Sequence, residues 1–416
     1  MTKSPLALAV ALGVFAQHVS AAGFIEDSSI RLDTRSFYLN QNFDNNAADL
    51  DQWGLGFILN AQSGFTEGVV GFGLDAQGYL GVQLYTDGAE SQQLFPLDKG
   101  ESADDFSKLG LTAKARAGKT EARVGTLQPK LPVVIANDGR LLPQTFEGAQ
   151  VTSSDIKDLT LTAGFLDKAR GRASTDSTGL ATKGGREESD FVFAGGDYKV
   201  TQDLIAQYYY GGLNDYYQQH FLGLKHAVAL GAGKLSSDLR YFDTRAEGAS
   251  DDGKTGYAGN VDNQLWSALF GYSLQGHTLS AGYQKSSGDT DFAQLDQSGL
   301  AGKGAGGASV YLITERFVNN FGRAGEKTWL AQYGYDFGKI GVPGLSASVL
   351  YQKGEWDNAA KRELTEWERD IFVGYVVPTG ALKGIGVQWR NGVLRSDGSA
   401  AQDHNRLTVS YSLPLL

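Results

Sequence analysis

The chain has 416 residues, a formal net charge of −10, 55 glycines, 8 prolines and no cysteine. Without cysteine an exported chain has neither disulfides nor thiolate metal ligands, so packing and backbone hydrogen bonds must hold it together. An acidic chain lacks the basic face that releases counterions from phosphate, which argues against a nucleic-acid partner, and this much glycine suits turn-rich sheets better than helices.

In chain order, Met1-Thr2-Lys3, an apolar stretch from Leu6 to Phe15 and then Val19-Ser20-Ala21 read as a secretory signal peptide over residues 1–21. Residues 22–416 read as one domain. No later segment has the ~20 consecutive apolar residues of a spanning helix. From there to the C-terminus the dominant signal is period-two alternation. Trp53, Leu55, Phe57 and Leu59 alternate with Gln52, Gly54, Gly56 and Asn60, with Ile58 intruding. Leu109, Leu111 and Ala113 oppose Lys108, Thr112 and Lys114, and Leu222, Leu224, His226 and Val228 oppose Gly223, Lys225 and Ala227. Ile385, Val387 and Trp389 oppose Gly386, Gln388 and Arg390, and Leu407, Val409, Tyr411 and Leu413 oppose Arg406, Thr408, Ser410 and Ser412.

Connections are unequal. Gly231-Ala232-Gly233, Gln275-Gly276 and Pro378-Thr379-Gly380 are tight, whereas Thr86 to Phe106, Gln128 to Phe146, Arg170 to Asp190 and Ser287 to Gly307 are long and polar. Asp75 to Gly78 reads as another tight turn, and Ser309 to Tyr351 shows no clean period. The periodicity gives near twenty strands. Their number, their length of about ten residues, and aromatics at strand ends (Tyr208, Tyr209, Tyr210, Tyr216, Tyr217, Trp367) favour an outer-membrane barrel over a soluble sandwich. Inside hydrocarbon such a sheet must close on itself, and a large closed barrel leaves a watery passage.

Taking each apolar set as lipid-facing assigns charges to the lumen by parity. Arg31, Arg35, Lys114, Arg116, Arg123, Lys225, Arg240, Arg390 and Arg406 come out inward. Continuing the strand from Leu159 to Phe165 adds Lys168, Arg170 and Arg172. Successive guanidinium and ammonium groups along one passage would attract carboxylates without trapping them. The structural alternative is that these groups pair with Asp33, Asp238 or Glu121 on neighbouring strands and merely stiffen the wall. Inward glycines such as Gly54, Gly56, Gly81 and Gly110 leave space, which argues against a plugged barrel.

The chain resembles the OprD family of substrate-specific outer-membrane porins, the carboxylate channels. The resemblance rests on Gly23-Phe24-Ile25-Glu26-Asp27-Ser28-Ser29, Ser63-Gly64-Phe65-Thr66-Glu67-Gly68 with Val70-Gly71-Phe72-Gly73, and Arg140-Leu141-Leu142-Pro143-Gln144-Thr145-Phe146. Ala194-Gly195-Gly196-Asp197-Tyr198, Trp367-Glu368-Arg369-Asp370 and Gly380-Ala381-Leu382-Lys383-Gly384 extend it. It implies an all-β fold, a closed antiparallel transmembrane β-barrel of about 18 strands whose pore is narrowed by inward-folded extracellular loops and lined by a basic ladder. It puts Arg140 at the constriction, Arg170 and Arg172 at the start of the next long loop, and Arg390 and Arg406 on the last two strands. Asp138 either shapes a turn beside Gly139 or faces the positive end of a zwitterion. Arg369 and Lys383 fall on the apolar parity and outside the ladder. The terminal Leu413-Pro414-Leu415-Leu416 departs from the usual aromatic ending.

The expected function is facilitated diffusion of small carboxylates, aromatic or cyclic monocarboxylates ahead of basic amino acids and small peptides. The expected surroundings are outer-membrane lipid and lipopolysaccharide, with no nucleic acid, no cofactor and no metal, and a monomer or weak homotrimer. The rivals are a plugged structural barrel and an exported hydrolase. The five histidines (His18, His220, His226, His277, His404) sit in no catalytic motif, and no Gly-x-Ser-x-Gly elbow occurs, so the chain reads as a channel and not an enzyme.

Overall fold

Period-two segments joined by turns close into one antiparallel barrel. The computed structural model describes residues 23–416 apart from 45–47, 89–90, 184, 188–189, 254–258, 299, 301–305 and 359, so the signal segment lies outside the described residues. Among the described residues the barrel strands number eighteen. They are β1 (Ser29–Phe43), β2 (Leu50–Gln62), β3 (Gly71–Gly88), β4 (Asp105–Ala117), β5 (Thr120–Leu127) and β6 (Thr145–Ser153). Then come β7 (Leu159–Arg170), β8 (Phe191–Lys199), β9 (Leu204–Leu213), β10 (Tyr217–Leu230), β11 (Gly233–Ala246) and β12 (Asp262–Leu274). The last are β13 (His277–Gly288), β14 (Lys327–Asp336), β15 (Leu345–Asp357), β16 (Glu363–Val376), β17 (Gly386–Ser396) and β18 (Gln402–Pro414). Each pairs with the next, and β1 closes on β18 from Arg31↔Pro414 to Phe43↔Gln402.

Exposure is inverted relative to a soluble protein. Phe72, Leu109, Val124, Phe270 and Trp329 point outward and are exposed, while Gln52, Gln284, Gln352, Glu366 and Glu368 point inward and are buried. A wall facing lipid requires that arrangement. Both ends of the sheet lie at the rim of short turns such as 118–119 and 275–276, the periplasmic rim of such barrels. The other rim carries the long loops 89–104, 128–144, 171–190, 247–261 and 289–326.

Three expectations change. Asp75 to Gly78 is no turn but the middle of the 18-residue strand β3, where Asp75 pairs with Lys114 at 2.6 Å. Tyr209, Tyr216 and Tyr217 are buried inside rather than in an outer girdle, whereas Tyr208 is exposed and Trp367 stacks on Tyr351. A bulge opposite Glu147/Gly148 inserts Asp167 into β7, so Lys168 is exposed and Ala169 turns inward. One extra residue flips every later side chain.

The apolar core of this protein lies inside its barrel. Leu94 and Phe95 of the 89–104 loop and Leu141 and Leu142 of the 128–144 loop bury against Phe37, Leu39, Leu50, Ile58, Tyr79 and Phe106 of β1 to β4. A larger cluster packs Val133, Leu180, Leu295, Val310 and Leu312 from the loops on Phe191, Tyr209, Phe221, Phe242 and Leu265 of the opposite wall. Each buried Leu or Phe contributes about 2 kcal/mol against the entropy of ordering its loop. The inward glycines serve this docking rather than leaving a gap. A Cβ on Gly54 would stand 2.7 Å from the Phe95 ring, one on Gly56 2.8 Å from the Leu141 carbonyl oxygen, and those on Gly81 and Gly110 would meet Phe106 and Thr126. Gly54→Val should therefore lift Phe95 at a cost of about 1–3 kcal/mol and change single-channel conductance about twofold in a barrel that still resists SDS. An unchanged conductance would show that the slot does not hold the loop.

Candidate functional site

Between the two loop clusters lies a cavity of ≈ 910 Å³. Glu315, Arg316 and Phe317 line it, at the end of a segment from Tyr311 to Phe317 that is gripped at each end by cations of opposite walls. At one end the Arg240 guanidinium lies 3.8 Å and the Lys225 ammonium 5.3 Å from the Tyr311 ring centre, and Arg240 Nη1 donates to the Tyr311 carbonyl oxygen at 3.0 Å. At the other, Arg406 and Arg390 lie 4.1 and 5.0 Å from the Phe317 ring. Six residue steps reach ~20 Å at most, enough to bridge β11 and β18. Beneath Phe317 the buried Glu368 carboxyl accepts the backbone N–H groups of Phe317, Val318 and Asn319 at 3.2, 3.0 and 3.0 Å. The strap is thus pinned by charge, ring and backbone together.

Six arginines line this cavity, of which four are expected from the sequence: Arg140, Arg172, Arg390 and Arg406. None of these four is within 4.0 Å of a carboxylate among the described residues. Neutral groups hold them instead. Gln93 Oε1 accepts from Arg140 Nε and Nη2 at 3.1 and 2.9 Å. Asn137 Oδ1 accepts from Arg172 at 3.4 Å, and the Phe317 carbonyl from Arg406 at 3.3 Å. No carboxylate pairs directly with them, although Asp370 and Glu368 act on Arg390 and Arg406 from farther off, and Asp296 and Glu315 on Arg172.

A barrel of eighteen strands with inward loops and unpaired guanidinium groups at its waist can be compared with known proteins. A model of an outer membrane porin family, OprD, matches residues 22–415. The chain belongs to the OprD family. Porin D of Pseudomonas aeruginosa is 34% identical over 98% of this chain and 96% of its own length. The porin-like protein GalP of Pseudomonas putida is 35% identical over 95% and 94%. Among solved structures, Pseudomonas aeruginosa OccK8 (OprE) is 49% identical with a TM-score of 0.87, covering 95% of this chain and 100% of that one. Pseudomonas aeruginosa OpdK with vanillate is 34% identical with a TM-score of 0.87, covering 94% and 100%. The protein is accordingly an outer-membrane porin of a Gram-negative bacterium.

In this OprD-family porin the remaining inward cations do other work. Arg31 pairs with Asp33 at 2.9 Å, Arg123 with Glu121 at 2.5 Å and Arg240 with Asp238 at 2.6 Å, the wall-stiffening alternative. Lys114 is buried against Asp75, and its ammonium and the Arg116 guanidinium flank the Phe65 ring at 4.8 and 4.1 Å, closing over the periplasmic turn. Arg35 reaches Asp138 at 2.9 Å and the Arg140 carbonyl at 2.7 Å, so Asp138 is engaged in docking the 128–144 loop. Arg170 does not line the cavity. The bulge turns it to Ser177 and to the Leu109 carbonyl oxygen at 3.0 Å, where it ties β7 to β4 above the short strands β5 and β6. Lys225, spent on Tyr311, lies outside the cavity as well.

Sequence reasoning missed Arg316, Arg323, Asp291, Asp296 and Glu315, which line the same cavity. All belong to the 289–326 loop, where no period marks structure and only the density of charge and aromatics hinted at use. Arg323 is held by the buried Glu366 at 3.1 Å. Burial, and then the nearby Arg406 and Arg172 charges, push the Arg140 guanidinium well below its ordinary value. Burial lowers Arg172 to about 10 against the pull of Asp296 and Glu315, and burial raises the Glu315 carboxyl to about 7. Guanidinium groups keep their proton under such shifts, whereas Glu315 is only partly ionised at neutral pH, so the cavity is net cationic. Among the described residues no group of three or more His, Cys, Asp or Glu is placed to hold a metal ion.

Proposed function

We propose that this porin carries small carboxylate-bearing solutes by facilitated diffusion, and aromatic or cyclic monocarboxylates best. The observation that supports the reading most is the set of four cavity arginines fixed by neutral oxygens and rings. A guanidinium without an internal carboxylate partner keeps its charge available to an incoming one. Arg140, Arg172, Arg406 and Arg390 then act as several modest sites in series, each strong enough to attract and weak enough to release. Low-dielectric loop packing around them focuses the field along the path. The Phe317 ring between two of these cations gives an aromatic acid an apolar surface beside its charge anchor. A relative, OpdK, was solved with vanillate, an aromatic carboxylate.

Asp291, Asp296 and Glu315 on the loop side of the same cavity support a second reading, in which an ammonium group faces them while a carboxylate faces the arginines. That is the arrangement a zwitterionic or basic amino acid would use. Cations outnumber these acids, and Glu315 is part-neutral, which favours the monocarboxylates.

Liposome swelling decides between them. Benzoate-like acids should enter several-fold (about fivefold) faster than neutral sugars of similar size, with basic amino acids between the two. Equal rates for acids and neutral solutes of one size would remove the carboxylate assignment.

A further inference from the structure

Arg140 serves a carboxylate channel only if it is both fixed in place and still charged. Several arginines of the wall are fixed by carboxylates that cancel the charge they hold: Asp33, Glu121 and Asp238 for Arg31, Arg123 and Arg240. Arg140 is held differently. One oxygen, Gln93 Oε1, accepts from both Nε and Nη2, and Nη1 donates to the Gly139 carbonyl at 2.9 Å. A guanidinium offers donors only, so the amide is bound to present its oxygen.

Gln93 is not among the residues that line the cavity, and it meets Arg140 through its amide oxygen. Its own position is nonetheless set with care. The next residue, Leu94, is fully buried and donates its N–H to Gln52 Oε1 at 3.0 Å. Phe95 follows, packed edge-on to Phe106 at 6.5 Å and 87° in the slot that Gly54 leaves open. The 89–104 loop therefore enters the barrel to deliver one amide oxygen to one guanidinium. A glutamate in that place would have the same size and the same two acceptor contacts, and it would neutralise Arg140.

We propose that Gln93 is a selectivity-determining positioning residue, whose neutrality, as distinct from its shape, preserves the anion preference of the constriction. The proposal rests on the carboxylate reading and goes beyond it by assigning selectivity to a residue of the 89–104 loop that does not line the cavity.

The test compares the full-length channel with Gln93→Glu, Gln93→Met and Arg140→Gln in planar bilayers, by reversal potential in a KCl gradient. Near pH 7 the chloride-over-potassium permeability ratio of Gln93→Glu should fall about threefold below the unaltered channel, approaching Arg140→Gln. An opposite charge at hydrogen-bond distance lowers a carboxyl pKa by about 1–3. The introduced carboxylate should therefore give up its effect only at about pH 2, where the ratio should return toward that of the unaltered channel measured at the same pH. Gln93→Met keeps the charge and loses the acceptor, so its ratio should stay within about 1.5-fold while half-saturation by benzoate weakens several-fold. A Gln93→Glu ratio equal to the unaltered channel at both pH values, with Arg140→Gln lowered, overturns the proposal. So does a deficit in Gln93→Met as large as that in Gln93→Glu, since that reports distortion and not charge. If Arg140→Gln is itself unchanged, the carboxylate reading fails and takes this inference with it.

Discussion

Replacing Arg390 and Arg406 together by glutamine should lower carboxylate uptake by about tenfold or more and move the reversal potential toward cation preference. A charge-assisted hydrogen bond to a carboxylate contributes ~1.5–3 kcal/mol, so even one lost anchor is worth about a factor of ten. Removing both also leaves Arg316 as the remaining nearby positive charge acting on Glu368 and Asp370 of the neighbouring strand, which makes the local field less positive. Lysine at both positions should retain much of the anion preference yet recover less uptake, because an ammonium lacks the planar fork. Arg123→Gln is the matched control. Its guanidinium is already cancelled by Glu121, so uptake should change less than about twofold. Radiolabelled benzoate uptake and reversal potentials on the same preparations measure both quantities. If the control and the double replacement behave alike, the distinction between paired and unpaired cations carries no functional meaning.

That distinction also marks how far the sequence could be read. Alternation placed the wall correctly because the physics is local: in β18, Leu407, Val409, Tyr411 and Leu413 are exposed outward while Arg406 is buried inward. The acids of the wall-stiffening pairs were legible, but their partners were expected on neighbouring strands and lie on the same strand instead. Arg31 with Asp33, Arg123 with Glu121 and Arg240 with Asp238 are two residues apart on one strand, hence on one face. The pairing of Arg35 with Asp138 spans 103 residues, and no periodicity announces it. Parity failed at Lys168 because a bulge is invisible until the partner strand is known. It failed in another way at Gly54 and Gly56, where small inward residues suggested open water and instead receive loop side chains. The strap was illegible because its order is tertiary. Tyr311 and Phe317 are held by β10, β11, β17 and β18, not by their own neighbours.

Glu368→Ala should release that strap. Oε1 of Glu368 accepts from the N–H groups of Phe317 and Val318, and Oε2 from that of Asn319, with Gln352 Nε2 at 3.4 Å. Alanine leaves those donors buried without acceptors, at about 1–3 kcal/mol each, whereas swinging the segment into the lumen hydrates them. A shift of about 3 kcal/mol changes the docked-to-released ratio roughly a hundredfold. Phe317 then leaves Arg390 and Arg406, conductance should rise about twofold or more, and anion preference should fall as the passage widens. Glutamine is the intermediate case, because it retains one acceptor oxygen and turns an amide donor toward the other contacts. The chain has no cysteine, so Asn319→Cys introduces a single thiol beside the clamp. Its labelling by a polar maleimide should accelerate about tenfold when Glu368 is alanine, with the glutamine variant between. Identical labelling rates and identical conductance in the presence and absence of the carboxyl group would mean that ring and cation contacts alone hold the strap, and that Glu368 is only a buried acid of the wall.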